Sequence, residues 1–218
     1  RREVVEEAAA LVEAAGRRTL RVVTDVGDEA SVASLLSAAI GEFGKVDILV
    51  NCAGRTKRTP TLDLTDREWN EILETNLTGT MRACRVFGRH MIERRYGRII
   101  NIASLTSFVS MMEVAAYSAS KSAVASLTKS LAVEWSRFGV MVNAIAPGPF
   151  PTYMLSTGVG GRGDVDAVDW ERLGRGNPRG RVGTPQDIAG LAIFLSSRAG
   201  AFTVGEVITC DGGECAVS

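Results

Sequence analysis

Apolar positions along the chain recur with two periods, and the places where one gives way to the other define its elements. Three times an amphipathic run with helical spacing ends in an aromatic–glycine pair and passes at once into a short β-branched stretch. The pairs are Phe43-Gly44 before residues 46–50, Tyr96-Gly97 before 98–102, and Phe138-Gly139 before 140–145. Glycine suits the left-handed position just past a helix end, and the apolar stretches are too short and too β-branched to be helices. Each unit therefore predicts a helix, a cap and a buried strand. An earlier unit runs from a helix over 2–15 through Gly16 to a strand over 19–24. A last one runs from a helix opening at Thr184-Pro185, cap and first-turn proline, to a strand over 206–210. Thr65 and Glu68 have capping-box spacing and predict one more helix start. Strands alternating with helices imply parallel pairing by right-handed crossovers, with both sheet faces covered. The predicted fold class is α/β: a doubly wound, Rossmann-like parallel sheet forming one domain over 1–218.

Composition narrows the partners. With Lys+Arg 25 against Asp+Glu 25 there is no overall field to attract nucleic acid or anionic lipid, so a small-molecule ligand is expected. No apolar stretch approaches the roughly 20 residues of a membrane span, and no secretory signal opens the chain. Cys52, Cys84, Cys210 and Cys215 show no CxxC spacing and His90 is the only histidine, so no metal site is expected. Free thiols suit a reducing cytosol and a cytoplasmic location.

Ligands of such sheets bind beyond the carboxyl ends of the strands. The residues there are small or polar: Asp25 and Val26, then Asn51, Cys52, Ala53 and Gly54, then Ala103 and Ser104, then Pro147 and Gly148. After Ser104 a loop leads to a helix opening near Tyr117, on which Tyr117 and Lys121 share one face. A Tyr-x3-Lys pair arises by chance in roughly 5% of chains of this composition, so the pair alone is only moderately specific. The chain uses 21 Arg against 4 Lys, yet places Lys at 121 inside an apolar helix. A compact ammonium fits beside a phenol where a guanidinium fork does not. A phenol with its pKa drawn toward neutrality by a cation serves as general acid and base, and a serine hydroxyl from a strand end can steady the reacting oxygen.

Together, Asn51-Cys-Ala-Gly54, Asn76 within Thr75-Asn-Leu-Thr-Gly79, Ser104, Tyr117-Ser-Ala-Ser-Lys121, the segment from Pro147 through Phe150 to Thr152, and Asp211-Gly-Gly213 resemble the short-chain dehydrogenases/reductases, in the family's order over essentially the whole chain. The look is that of the gluconate 5-dehydrogenase-like branch. The resemblance implies an NAD(P)-dependent oxidoreductase that interconverts a secondary alcohol and a ketone by hydride transfer, acting on a small hydroxy or keto acid or sugar acid and assembled as a homotetramer. It implies Asn76, Ser104, Tyr117 and Lys121 as catalytic residues. Around the cofactor it implies Asp25, Val26, Asn51, Ala53, Gly54, Tyr117, Lys121, Pro147, Gly148, Phe150 and Thr152. Cys52 stands where the family more usually has a second asparagine, a departure expected not to reach the chemistry. Reduction of 3-oxoacyl thioesters is the rival activity, and a non-catalytic cofactor-binding regulator or subunit the rival of another class.

Gly158-Val-Gly-Gly-Arg-Gly163 matches the GxGxxG dinucleotide fingerprint in letters but follows no predicted strand. It is read as part of a mobile substrate lid over 154–183. By the resemblance, the family's first βαβ unit with its glycine-rich turn falls upstream of Arg1. The strand over 19–24 and the strand after Gly44 are then expected to lie roughly 14 Å apart and not to pair. Arg1 and Arg2 would lie near the adenosine ribose, slightly favouring NADP over NAD as cofactor.

Overall fold

The computed structural model of the chain describes residues 2–158 and 163–217. Its centre is a four-stranded parallel sheet in the order β1 (Ile48–Asn51), β2 (Gly97–Ile102), β3 (Val140–Pro147) and β4 (Val207–Cys210). Helices α1 (Arg2–Ala14) and α2 (Glu29–Phe43) precede it. Between β1 and β2 run α3 (Asp66–Leu73), a π-helical turn (Glu74–Thr78) and α4 (Gly79–Glu93); α5 (Ala115–Trp135) joins β2 to β3. The connection to β4 carries α6 (Tyr153–Gly158), α7 (Trp170–Gly174) and α8 (Pro185–Ser196), and α9 (Glu214–Val217) follows β4.

Period-two alternation in the strands sorts the helices onto the two faces. Ile99, Val140 and Val142 pack with Cys84 and Met91 of α4 and Ala132 of α5. Ile100 and Ile145 turn the other way, onto Ile188, Leu191 and Leu195 of α8. Both faces are thus covered, as a parallel sheet requires. One expectation fails: β3 to β4 continues in the same direction along the sheet as the two crossovers before it, but α8 lies on the opposite face from α4 and α5. Its hand is therefore opposite to theirs, and the three crossovers cannot all be right-handed.

The predicted caps are present. Thr65 accepts from the Glu68 amide while the Glu68 carboxylate accepts from the Thr65 amide, at 3.2 and 3.3 Å. Asp187 accepts from both the amide and the hydroxyl of Thr184, at 2.8 and 2.7 Å, to start α8. Gly44 (φ 81°) and Gly139 (φ 80°) hold the left-handed conformation that ends their helices. At Gly139 a side chain is barred twice over, because a Cβ would also lie 2.3 Å from the Arg95 carbonyl oxygen. Gly139→Ala is expected to destabilise the protein by about 2–4 kcal/mol, read as a lower denaturation midpoint with an unchanged m-value.

Residues 19–24 form no strand. They find no ladder partner, and a strand is defined by its neighbour. Arg21 instead ties this segment to α1 through Glu6 and Glu13, each at 2.8 Å. As expected, the segment is not paired with β1, whose outer edge leaves Ile48 and Val50 about half exposed.

Candidate active site

The carboxyl ends of β1, β2 and β3 and the first turns of α5 converge on one region. The π-helical turn puts Asn76 there, fully buried. The extra residue in that turn rotates the amide out of the α-helical face and toward the loop after β1. Its Oδ1 accepts from the Arg55 amide at 2.8 Å, while Nδ2 donates to the Arg55 carbonyl at 3.0 Å and to Ser120 Oγ at 2.9 Å. Ser120 Oγ in turn donates to the Tyr117 carbonyl at 2.7 Å. Asn76 thus locks the loop carrying Gly54 to the helix carrying Tyr117 and Lys121.

Ser104 is buried at the end of β2, with Oγ accepting from the Thr106 amide at 3.2 Å. Burial raises the Tyr117 pKa above its ordinary value, and the hydrogen-bonding Ser104 hydroxyl works against this. Lys121, also buried, donates to the Ile102 carbonyl at 2.7 Å, and desolvation pushes its pKa down to about 8. Its Nζ lies 5.8 Å from the centre of the Tyr117 ring. Burial is the largest cause of the shift in both groups. Cys52 is exposed.

Gly54 faces the same point. A Cβ there would lie 3.5 Å from Asn76 Oδ1, 3.6 Å from Met154 Cε and 3.7 Å from Lys121 Nζ. The protein itself would tolerate that atom, so the notch it leaves is room for something else. A flat group carrying hydroxyls fits: the notch admits it and Lys121, buried without a carboxylate partner, is placed to donate to it.

The other residues picked from the sequence are distributed unevenly. Asn51 spends its amide inside the sheet, donating to Asn101 Oδ1 at 2.8 Å and to Cys84 Sγ at 3.2 Å. Ala53 is exposed beside Gly54. Asp25 accepts from the Gly27 amide at 2.8 Å, and Val26 packs on Gly79, where a Cβ would meet its Cγ2 at 2.7 Å. Pro147 ends β3. Gly148 lies against Asp211, and the Phe150 ring turns toward Gly183 to wall a cavity of about 270 Å³ with Arg179, Arg181 and Asp211. Thr152 Oγ1 accepts from the Leu155 amide at 3.2 Å at the start of α6. Of the GxGxxG letters, 159–162 lie outside the described residues; Gly158 ends a helix, which is not the strand-to-helix setting of a fingerprint.

Sequence reasoning missed Arg58. Its neighbours are neutralised, Arg55 by Glu71 at 3.0 Å and Lys57 by Glu68. No carboxylate among the described residues lies within ion-pair distance of Arg58 itself. Its Nη1 makes a long 3.5 Å contact to the Met112 carbonyl, and its Nε lies 3.5 Å from where a Cβ on Gly158 would sit. The guanidinium thus reaches the loop before α5 and lies near the end of α6. The available signal was three basic residues in four positions after Gly54.

A family model described as enoyl-(acyl carrier protein) reductase matches residues 1–214. A 2-dehydro-3-deoxy-D-gluconate 5-dehydrogenase of Dickeya dadantii is 41% identical over 93% of this chain and 78% of its own length. The chain belongs to the short-chain dehydrogenase/reductase family. It is an NAD(P)-dependent oxidoreductase of that family, interconverting a secondary alcohol and a ketone. A cis-4-hydroxycyclohexanecarboxylate dehydrogenase of Sinomonas cyclohexanicum is 38% identical over 99% of this chain and 84% of its own length. Among solved structures, a gluconate 5-dehydrogenase of Burkholderia cenocepacia in complex with NADP and tartrate superposes with a TM-score of 0.84 at 34% identity, covering 98% of this chain and 82% of that one. No helix among the described residues is long and apolar enough to cross a membrane.

Proposed function

We propose that this reductase/dehydrogenase acts on a small acid bearing a secondary alcohol or ketone, with Tyr117 as its acid and base. The observation that carries it is Ser104, Tyr117, Lys121 and the Gly54 notch at one buried point, with the unpaired Arg58 at its mouth. Gly54, Ala53, Lys121 and the Pro147–Thr152 segment would hold the nicotinamide end of the dinucleotide, which when bound supplies or accepts the hydride. NADP is favoured over NAD by the bound cofactor of the Burkholderia relative.

In ketone reduction, Ser104 Oγ donates a hydrogen bond to the substrate oxygen while Tyr117 Oη transfers its proton to it. Lys121 neutralises the phenolate left behind, and Asn76 fixes the helix turn through Ser120 so that these groups keep their spacing. In alcohol oxidation the same atoms act in reverse order. A raised Tyr117 pKa keeps the phenol protonated across neutral pH, which serves reduction; oxidation then gains as pH rises toward the tyrosine's pKa.

Arg58 supplies a guanidinium to the substrate carboxylate. The relatives named above share an acid group and a secondary carbinol, whatever lies between. Arg58→Met should raise KM for a keto acid about tenfold to a hundredfold with kcat changed much less. Steady-state kinetics on a keto acid and its methyl ester check this, since the ester should be indifferent to the substitution. Residues 154–183 form the substrate lid in this proposal, supported by their glycines. Assembly as a cytoplasmic homotetramer is supported by exposed Val133, Ile193 and Phe202 and by the free cysteines.

A further inference from the structure

The mouth of this site is walled by thioethers and an aromatic ring. Of the chain's six methionines, three belong to it: Met111 and Met112 in the loop between Ser104 and α5, and Met154 in α6. Met154 Cε already stands 3.6 Å from the Gly54 notch, beside Lys121 and Asn76. Met111 and Met112 are 44% and 81% exposed, and Phe108 in the same loop is 51% exposed. Most hydroxyls of these segments are not offered to solvent. Those of Thr56, Thr59, Thr106, Ser107 and Ser118 are sealed from solvent, and those of Ser156 and Thr157 donate to carbonyls of their own helix at 2.9 and 2.7 Å. Among the described residues, Arg58 is an exposed cation there with no carboxylate at ion-pair distance.

We infer that the natural substrate is a carboxylic acid whose body is apolar, an alicyclic or branched aliphatic hydroxy or keto acid, and that polyhydroxylated sugar acids are poor substrates. This rests on the assignment of Arg58 to the carboxylate. A polyol chain entering this mouth would exchange the water around most of its hydroxyls for methionine and phenylalanine surface, losing hydrogen bonds that few side chains there replace. A ring or branched chain meets the opposite balance. Exposed thioethers gain by being covered, and their unbranched, flexible side chains adapt to a ring's contour.

The test measures kcat/KM with NADPH and with NADH for 4-oxocyclohexanecarboxylate, 5-keto-D-gluconate and the neutral 4-methylcyclohexanone, on wild type and on the Met111→Gln, Met112→Gln double variant. The alicyclic keto acid should exceed 5-keto-D-gluconate by at least about tenfold. The glutamines should narrow that ratio through KM, with the melting temperature unchanged because both side chains are exposed. Equal or better turnover of 5-keto-D-gluconate by wild type overturns the inference while leaving the acid-binding role of Arg58 intact. Turnover of 4-methylcyclohexanone as fast as the alicyclic acid overturns the Arg58 assignment and with it the acid in this proposal. A ratio unmoved by the glutamines overturns the methionine wall as its cause.

Discussion

Tyr117→Phe is expected to lower turnover about a thousandfold while leaving folding nearly untouched. The substitution deletes one oxygen and keeps the ring that α5 packs into the site. That oxygen is the proposed proton donor, and removing a positioned general acid or base typically costs a factor of 10² to 10⁴, or roughly 3–5 kcal/mol of transition-state stabilisation. Ser104 keeps its Thr106 amide donor, so the strand end does not collapse. The wild type should reduce ketones at a steady rate across neutral pH, because burial holds the phenol protonated there, and should lose that rate only on the alkaline side. Alcohol oxidation should rise over the same alkaline range. Steady-state profiles in both directions, together with thermal unfolding of wild type and variant, check this. Retention of turnover within about tenfold would remove Tyr117 from the mechanism and bring the non-catalytic regulator forward.

Lys121→Met should inactivate the enzyme and yet stabilise the ligand-free protein at pH 7. Burial without a carboxylate depresses the lysine's pKa from 10.5 to about 8. A cation so shifted binds fewer protons folded than unfolded between those two values, so its presence costs stability fully below about 8 and ceases to cost it above about 10.5. The full penalty is about 3 kcal/mol. Losing the hydrogen bond to the Ile102 carbonyl returns about 1 kcal/mol of it, and methionine fills much the same volume. A net gain of about 2 kcal/mol corresponds to a melting temperature raised by roughly 4–8 °C at pH 7, shrinking as pH approaches 10. Thermal unfolding from pH 6 to pH 10 on both proteins gives the comparison, and a variant less stable at every pH would show that Lys121 supports the fold. A residue whose removal stabilises the fold and abolishes turnover is retained for chemistry.

The sequence by itself determined the alternation of helix and strand, the caps at Thr65, Thr184, Gly44 and Gly139, and the Tyr117-Lys121 pair on one helix face. Each is a local matter: side-chain period, capping chemistry and the left-handed residue are settled within a few positions of the chain. It also named Asn76, Ser104 and Gly54 by resemblance, without saying what they touch. Only the tertiary structure decided that residues 19–24 do not become a strand, since a ladder needs a neighbour, and that α8 crosses on the opposite face. It decided the direction of the Tyr117 shift as well, because desolvation depends on everything packed around the phenol and not on the lysine one turn away. Arg58 and the methionines of the mouth were invisible for the same reason. Whether a cation is paired, and whether an apolar side chain is covered, are settled by segments as far apart in the chain as Arg58, Met112 and Gly158.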